Sequence, residues 1–263
     1  MNVWQSVIMG IVEGLTEFLP ISSTAHLILT ADLLKIPASE FLKTYSISIQ
    51  LGAIFAVVFL YWKKILNSKD LILKILTALI PTAIIGFAFY KIIKTYLMES
   101  LLLIAITLFL GGLAILLFEE RYKKKENLAL IETKETLSYK QAFTIGVFQT
   151  LAMIPGVSRS ASTIVTGLWL GLKRKTIVEF SFLLAIPTMA GATFLDLIKN
   201  QELILNLSRQ DLISWIIGFI LSFITAIIGI KFLLRFIEKN NFIPFAWYRI
   251  ALGLIIALIL LIG

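Results

Sequence analysis

Long apolar stretches alternate with short charged clusters along this chain. Six windows have the roughly 20 mostly apolar residues that carry a helix across a bilayer. They run at Thr44–Trp62, Leu71–Tyr90, Leu101–Phe118, Ile177–Leu195, Leu212–Ile230 and Pro244–Gly263. Each is apolar on every side, rich in Leu, Ile and Phe, and without period-two alternation, so helices are predicted rather than a barrel. Two further stretches are apolar but broken. Val3–Leu29 contains Glu13, Glu17, Pro20, Ser22, Ser23, Thr24 and His26, and Ala142–Leu172 contains Pro155, Gly156, Ser158, Arg159, Ser160 and Ser162. Irregular backbone survives at membrane depth only inside protein or beside a water-filled cavity. A re-entrant hairpin is therefore predicted over 3–29 and another over 142–172. An arm of about 13 residues reaches roughly 20 Å, past the midplane.

The broken stretches resemble each other. A shift of 136 brings Gln5 to Gln141, Gly10 to Gly146, Leu15 to Leu151, Ser22 to Ser158 and Ala25 to Ala161, with Pro20 and Pro155 one residue out of register. Each half then holds one hairpin and three spans. Three is odd, so the second half enters from the opposite face. The predicted fold is an all-α integral membrane protein. Six transmembrane helices plus two re-entrant helical hairpins form an inverted-topology repeat: first repeat 1–118, charged cytoplasmic loop 119–140, second repeat 141–263.

Composition and charge agree. The 263 residues are 59% hydrophobic and 15% charged, against roughly 45–50% and 25% for soluble domains. That excludes a soluble enzyme and a disordered chain. The absence of cysteine excludes disulfides and thiolate metal sites. The net charge of +8 belongs to loops and does not call for nucleic acid. With both hairpins returning to their own side, sixteen basic residues fall on one face, in the loops near 63–74, 119–140, 173–175 and 231–239. Six fall on the other: Lys35, Lys43, Lys91, Lys94, Lys199 and Arg209. The positive-inside rule makes the first face cytoplasmic and puts both termini outside. A cleaved signal peptide is not expected, because Met1–Gln5 lacks a basic stretch and Glu13 interrupts the apolar run.

The chemistry concentrates in the hairpins. Glu13 and Glu17 are four apart and share a helix face. They repel unless a cation lies between them or one is protonated. The Pro155-Gly156 turn opens a helix whose free N–H groups, with Ser158 and Ser160, suit an anion, and the Arg159 fork suits phosphate oxygens. Burying Glu13, Glu17 and Arg159 in hydrocarbon would cost on the order of 8–10 kcal/mol, so they must pair or line a wet cavity. His26, the only histidine, follows Ser23 by three residues and reads as its catalytic partner. Gln50 either lines the pocket or bridges helices. Tyr248 and Arg249 read as anchors at the cytoplasmic end of the last span, and Arg121–Glu126 as a solvated loop. Pro81 and Pro187 read as kink points, and Gly111, Gly112 and Gly218 as close-packing points. Two carboxylates, a Ser–His pair, an arginine and an anion nest at membrane depth fit phosphoryl transfer on a lipid-linked phosphate.

Two strings, Glu13-Gly-Leu-Thr-Glu-Phe-Leu-Pro-Ile-Ser-Ser-Thr-Ala-His26 and Pro155-Gly-Val-Ser-Arg-Ser160, closely resemble the signature motifs of the undecaprenyl-diphosphatase, or bacitracin-resistance protein, family. The resemblance extends over the whole chain, through Leu51-Gly52-Ala53, Ile186-Pro187-Thr188 and Tyr248-Arg249-Ile250. It implies hydrolysis of undecaprenyl diphosphate to undecaprenyl phosphate and inorganic phosphate, recycling the carrier lipid for cell-wall synthesis. It also implies a divalent cation, Mg²⁺ or Ca²⁺, and a bacterial inner-membrane site reached from the extracytoplasmic face. Carried over by position, Glu13 and Glu17 match the metal-binding pair, and Ser23 and His26 the proposed nucleophile and its partner. Arg159 matches the phosphate-binding arginine, flanked by Gly156, Ser158 and Ser160. Either Ser23 attacks with help from His26, or His26 activates water. Ala25 and Ala161 stand where the family usually has Gly, and Ala costs backbone freedom wherever φ is positive. Polyprenyl diphosphate and membrane lipids are the expected partners, and a homodimer stays open. A secondary transporter, or a flippase for undecaprenyl phosphate, is the alternative for a chain with inverted repeats and broken helices.

Overall fold

A computed structural model describes residues 1–92, 100–127 and 133–262. The described chain is α-helical, with one isolated bridge between Lys134 and Leu172. Its helices are α1 (Val3–Thr16), α2 (Ser23–Leu33), α3 (Glu40–Asn67), α4 (Lys69–Ile92), α5 (Leu101–Asn127), α6 (Tyr139–Gln149), α7 (Arg159–Trp169), α8 (Arg174–Lys199), α9 (Gln201–Leu205), α10 (Arg209–Ile237) and α11 (Ile243–Ile262), with a 3₁₀ turn at Thr150–Met153. Six of them, α3, α4, α5, α8, α10 and α11, are long and apolar enough to cross a membrane. Each contains one of the six predicted windows, save the last residue, Gly263, which lies outside the described residues, as does Lys94. The protein is a multi-pass membrane protein.

Five helices run past their apolar windows into charge. Lys63 and Lys64 belong to α3, and Arg121 through Asn127 belong to α5. The expected loop at Arg121–Glu126 is thus a helix end. Charged residues are good helix formers, so a helix stops at a cap or a breaker and not where hydropathy falls. This end is also packed. Buried Glu119 takes a two-pronged hydrogen bond from Arg174, at 2.5 and 2.7 Å, and a third from the Phe242 amide. Tyr122 and Phe242 flank the guanidinium. Pro81 and Pro187 lie within continuous α4 and α8.

The broken stretches form two matching helix–turn–helix units. Asn2 and Ser138 cap α1 and α6, each in a reciprocal box with Gln5 or Gln141. Those glutamines then reach across their units to the carbonyls of Leu34 and Leu170. α2 and α7 are both 11 residues long, begin at a serine cap and end at a leucine. At about 16 Å each they are too short to span. The packing partners are exchanged: α1 lies on α10, and α6 lies on α4. Gly10 permits the first approach, since a Cβ there would come within 2.6 Å of the Gly218 carbonyl. Gly146 permits the second, against the backbone of Ala78. α5 packs on α11, and α3 on α8.

Ala25 and Ala161 sit in the first turns of α2 and α7, where their N–H groups donate to Ser22 and Ser158 Oγ. The positive φ angles fall instead on the caps themselves, Ser22 (71°) and Ser158 (75°). Ala at the two departures therefore carries no backbone penalty and favours the helix.

The sequence assigned Arg249 to the end of the last span as an anchor. It is instead wholly buried, at 0% exposure, and joins the two turns. Nη1 donates to the carbonyls of Pro20 (3.2 Å) and Val157 (3.1 Å), and Nη2 to those of Gly156 (2.9 Å) and Thr107 (3.3 Å). Gly111 supplies the space, because a side chain there would overlap the guanidinium. Five donors in a planar fork can serve several carbonyls at once, which lysine cannot. Two outcomes follow. Arg249→Met should lower stability by on the order of 3–5 kcal/mol, read as a drop in Tm of purified protein in detergent. Ala25→Gly and Ala161→Gly should each cost about 1 kcal/mol, the helix penalty of glycine, and give no gain in Tm.

Candidate active site

Both turns end in serine caps that aim a helix N-terminus at one cavity. Its volume is about 170 Å³, and its lining includes Glu17, Ser22, Ser23 and Thr24 from the first unit and Gly156, Ser158 and Arg159 from the second. Pro20 removes a helical N–H and disfavours helix in the residue before it, so α1 stops ahead of it. In the second unit Gly156 adopts φ 89°, and Thr107 occupies the space a Cβ would need. The Pro155 carbonyl accepts from the Thr107 hydroxyl at 2.7 Å. The turns touch directly: Ser160 Oγ donates to the Leu19 carbonyl at 2.8 Å and lies 3.1 Å from Ser158 Oγ. First-turn amides have no intrahelical acceptor, so two sets of N–H groups and two positive dipole ends meet here.

A charged chain crosses the site. Ser23 Oγ donates to Glu17 Oε2 at 2.5 Å, and Arg159 Nη2 donates to Glu17 Oε1 at 2.6 Å. Arg159 Nη1 donates to the Ser181 carbonyl at 3.0 Å, and the guanidinium lies 5.5 Å from the centre of the Phe18 ring. Its Nε is buried without a partner. Glu17, at 7% exposure, is thus pinned from both sides in a geometry that holds the Ser23 hydroxyl as a donor. Glu13 lies one turn earlier on α1, fully buried, and neither carboxylate oxygen has a hydrogen-bond partner. A buried carboxyl group with neither oxygen paired is costly. A bound divalent cation is one way of meeting that need, and the donor set of two carboxylates beside hydroxyls suits a hard cation that also holds phosphate.

The cavity brings together Glu17, Ser23, Arg159, Ser158 and Gly156, with Ser160 behind Ser158. Glu13 stands behind the wall. His26 is placed elsewhere. Its Nδ1 lies 2.7 Å from the Ser22 carbonyl, which can only accept, so in the neutral ring that nitrogen carries the proton. Nε2 then accepts from the Tyr248 hydroxyl at 2.7 Å. The expected Ser23–His26 hydrogen bond is not formed, because Ser23 is committed to Glu17 and His26 holds the carbonyl of the strained Ser22. Tyr248 is accordingly no membrane anchor but the second partner of His26.

Sequence reasoning left Gln50 undecided, and it lines the cavity. It missed Gln149, Thr82 and Thr188, which form the remaining polar wall. A signal was present for the first: the shift of 136 sets Gln149 against Glu13. A second, apolar cavity of about 530 Å³ shares Gln50, Thr82, Met153, Thr188 and Ala192 with the first and continues among Leu79, Phe87 and Leu195.

Comparison with known proteins identifies the family. A family profile described as bacitracin resistance protein BacA matches residues 6–255. An undecaprenyl-diphosphatase of Sulfurihydrogenibium sp. is 51% identical over 97% of this chain and 98% of its own length. One from Aquifex aeolicus is 49% identical over 98% of both chains, and one from Wolinella succinogenes 50% over 97% of both. A match of that extent, on a chain whose two signature strings meet in one cavity, settles the assignment: the protein belongs to the bacitracin resistance protein BacA family.

Proposed function

We propose that the chain is an integral-membrane phosphatase that hydrolyses undecaprenyl diphosphate to undecaprenyl phosphate and inorganic phosphate. The observation that carries this reading is the Ser23–Glu17–Arg159 chain at the meeting of two helix N-termini. It couples an activated hydroxyl to a site built for anions. The apolar cavity that continues from the polar one suits the first prenyl units of a lipid tail. Half a site for charge and half for hydrocarbon matches a lipid diphosphate better than an ion or a small solute, which weighs against the transporter alternative.

In this reading Arg159 and the first-turn amides of α2 and α7 bind the diphosphate. Ser23 Oγ attacks the terminal phosphorus, and its proton passes to Glu17 Oε2, which already accepts it. The bridging oxygen leaves with the prenyl phosphate, and water then releases the phosphate from Ser23. Glu17 thus takes the part of base expected of His26. His26 keeps Ser22, and with it the α2 N-terminus, in place. Glu13 and Glu17 would hold a divalent cation, Mg²⁺ or Ca²⁺, which when bound neutralises phosphate charge. Gly156, Ser158 and Ser160 shape the arginine side of the site.

The two helix–turn–helix units are read as re-entrant hairpins that enter from opposite faces as an inverted repeat. Their sub-spanning length, the match at a shift of 136 and the exchanged packing on α10 and α4 support this. The charge bias supports a cytoplasmic loop after α5, and the family resemblance supports a site reached from the extracytoplasmic side of a bacterial inner membrane.

Two measurements test these readings. With farnesyl diphosphate in detergent, wild-type protein should release phosphate, and EDTA should stop it. Glu17→Gln and Ser23→Ala should each lower release by about 100-fold or more while the protein stays monodisperse. Near-normal release by either variant would remove the role given to that residue. A reporter fused at Lys124 that is active only in the cytoplasm should be active, and the opposite result would invert the topology.

A further inference from the structure

Gln149 is 1% exposed, lines the polar cavity and has an unpartnered carboxamide oxygen. Its neighbours fix which end of the amide faces them. Thr82 Oγ1 gives its proton to the Gly146 carbonyl at 3.1 Å, and Thr188 Oγ1 gives its proton to the Leu184 carbonyl at 2.7 Å. Each hydroxyl has only one proton, so both present lone pairs to Gln149. The amide nitrogen must face them, and it donates to Thr82 at 2.8 Å and Thr188 at 3.3 Å. Oε1 is thereby turned away and held in a fixed direction. An unmet acceptor of this kind costs about 1–3 kcal/mol, which a donor in the cavity would remove.

Ionised phosphate oxygens only accept and do not fill that role before the water attacks. A cation fits poorly at this oxygen as well, because Thr82 and Thr188 around the amide are neutral, and the carboxylates that would hold a cation, Glu13 and Glu17, belong to the other unit. Water is the donor that remains. We propose that Gln149 holds the hydrolytic water of the phosphatase reaction, oriented by Thr82 and Thr188. This rests on the phosphatase reading above. The water oxygen bonds to phosphorus as the bond from phosphorus to Ser23 Oγ breaks. One water proton, hydrogen-bonded to Oε1, stays on the new phosphate. The other goes to Glu17, which returns the proton it took from Ser23 to the leaving Oγ. Gln149 itself gains no proton and serves as a fixed acceptor.

Competition between nucleophiles tests the proposal. Turnover of farnesyl diphosphate is run in buffer containing methanol, and inorganic phosphate and methyl phosphate are resolved by ³¹P NMR. Gln149→Leu should lower kcat by about 100-fold with KM within about twofold. Its methyl phosphate share should rise several-fold, because the site no longer prefers water. Quenched Gln149→Leu samples should carry phosphate on Ser23. The double variant Thr82→Val, Thr188→Val keeps Gln149 but frees its amide, and should shift the product ratio in the same direction. The ratio does not depend on how much protein is folded. Wild-type ratios in both variants, with phosphate release intact in the wild type, would overturn the role of Gln149 alone. Absence of phosphate release from the wild type would overturn the phosphatase reading itself.

Discussion

Two helices break inside an apolar slab, and everything else in this molecule answers the polar main-chain groups that the breaks expose. Apolar surroundings offer them no hydrogen bonds, so protein groups or a polar cavity must. The carbonyl ends of both turns are met by one buried arginine, Arg249, and by the Ser160 and Thr107 hydroxyls. The amide ends are left facing a cavity, where an anion can take them. The same breakage that threatens stability therefore makes the binding site. It also explains why a charged residue sits fully buried in the last span: its charge is spread over four carbonyl dipoles aimed at it.

The charges in the cavity follow the same logic. Glu17 and Arg159 come from different units and meet only because the turns meet. A buried pair adds little net stability, yet loss of either partner strands the other. The pair thus ties the function of the site to correct docking of the two units. Glu13 has no hydrogen-bond partner on either oxygen, so its burial is not compensated in the same way.

Much of this was legible in the sequence, and for physical reasons. Span positions follow from hydropathy, because the bilayer imposes a length. The breaks follow from Pro20 and Pro155, and the acidic and basic site residues from the cost of burying charge. Arg249 was not legible, since its partners are main-chain carbonyls 92 to 229 residues away and leave no trace in side-chain type. The hydrogen bonds of His26 were not legible either, because proximity in sequence does not fix which group a side chain meets. On a helix that begins at Ser23, a residue three positions later reaches back to the cap, and Ser22 is what His26 finds. The end of α5 was read as a loop because charge was mistaken for a helix stop.

The two units share a frame but not a chemistry. At the shift of 136, Glu13 stands against Gln149, Glu17 against Met153, Ser23 against Arg159 and His26 against Ser162. The shared positions are those the frame requires: the capping glutamines Gln5 and Gln141, the contact glycines Gly10 and Gly146, and the cap serines Ser22 and Ser158. Three of the divergent pairs face the cavity or stand behind its wall, and the fourth, His26 and Ser162, does not line it. Two identical acidic units would place four carboxylates around one anion site and repel its ligand. Two identical basic units would bind phosphate without a nucleophile. A site that both holds a diphosphate and attacks it needs acid and hydroxyl from one side and cation and neutral amide from the other. Divergence at three positions within a shared backbone frame places such groups around one cavity with no change of fold.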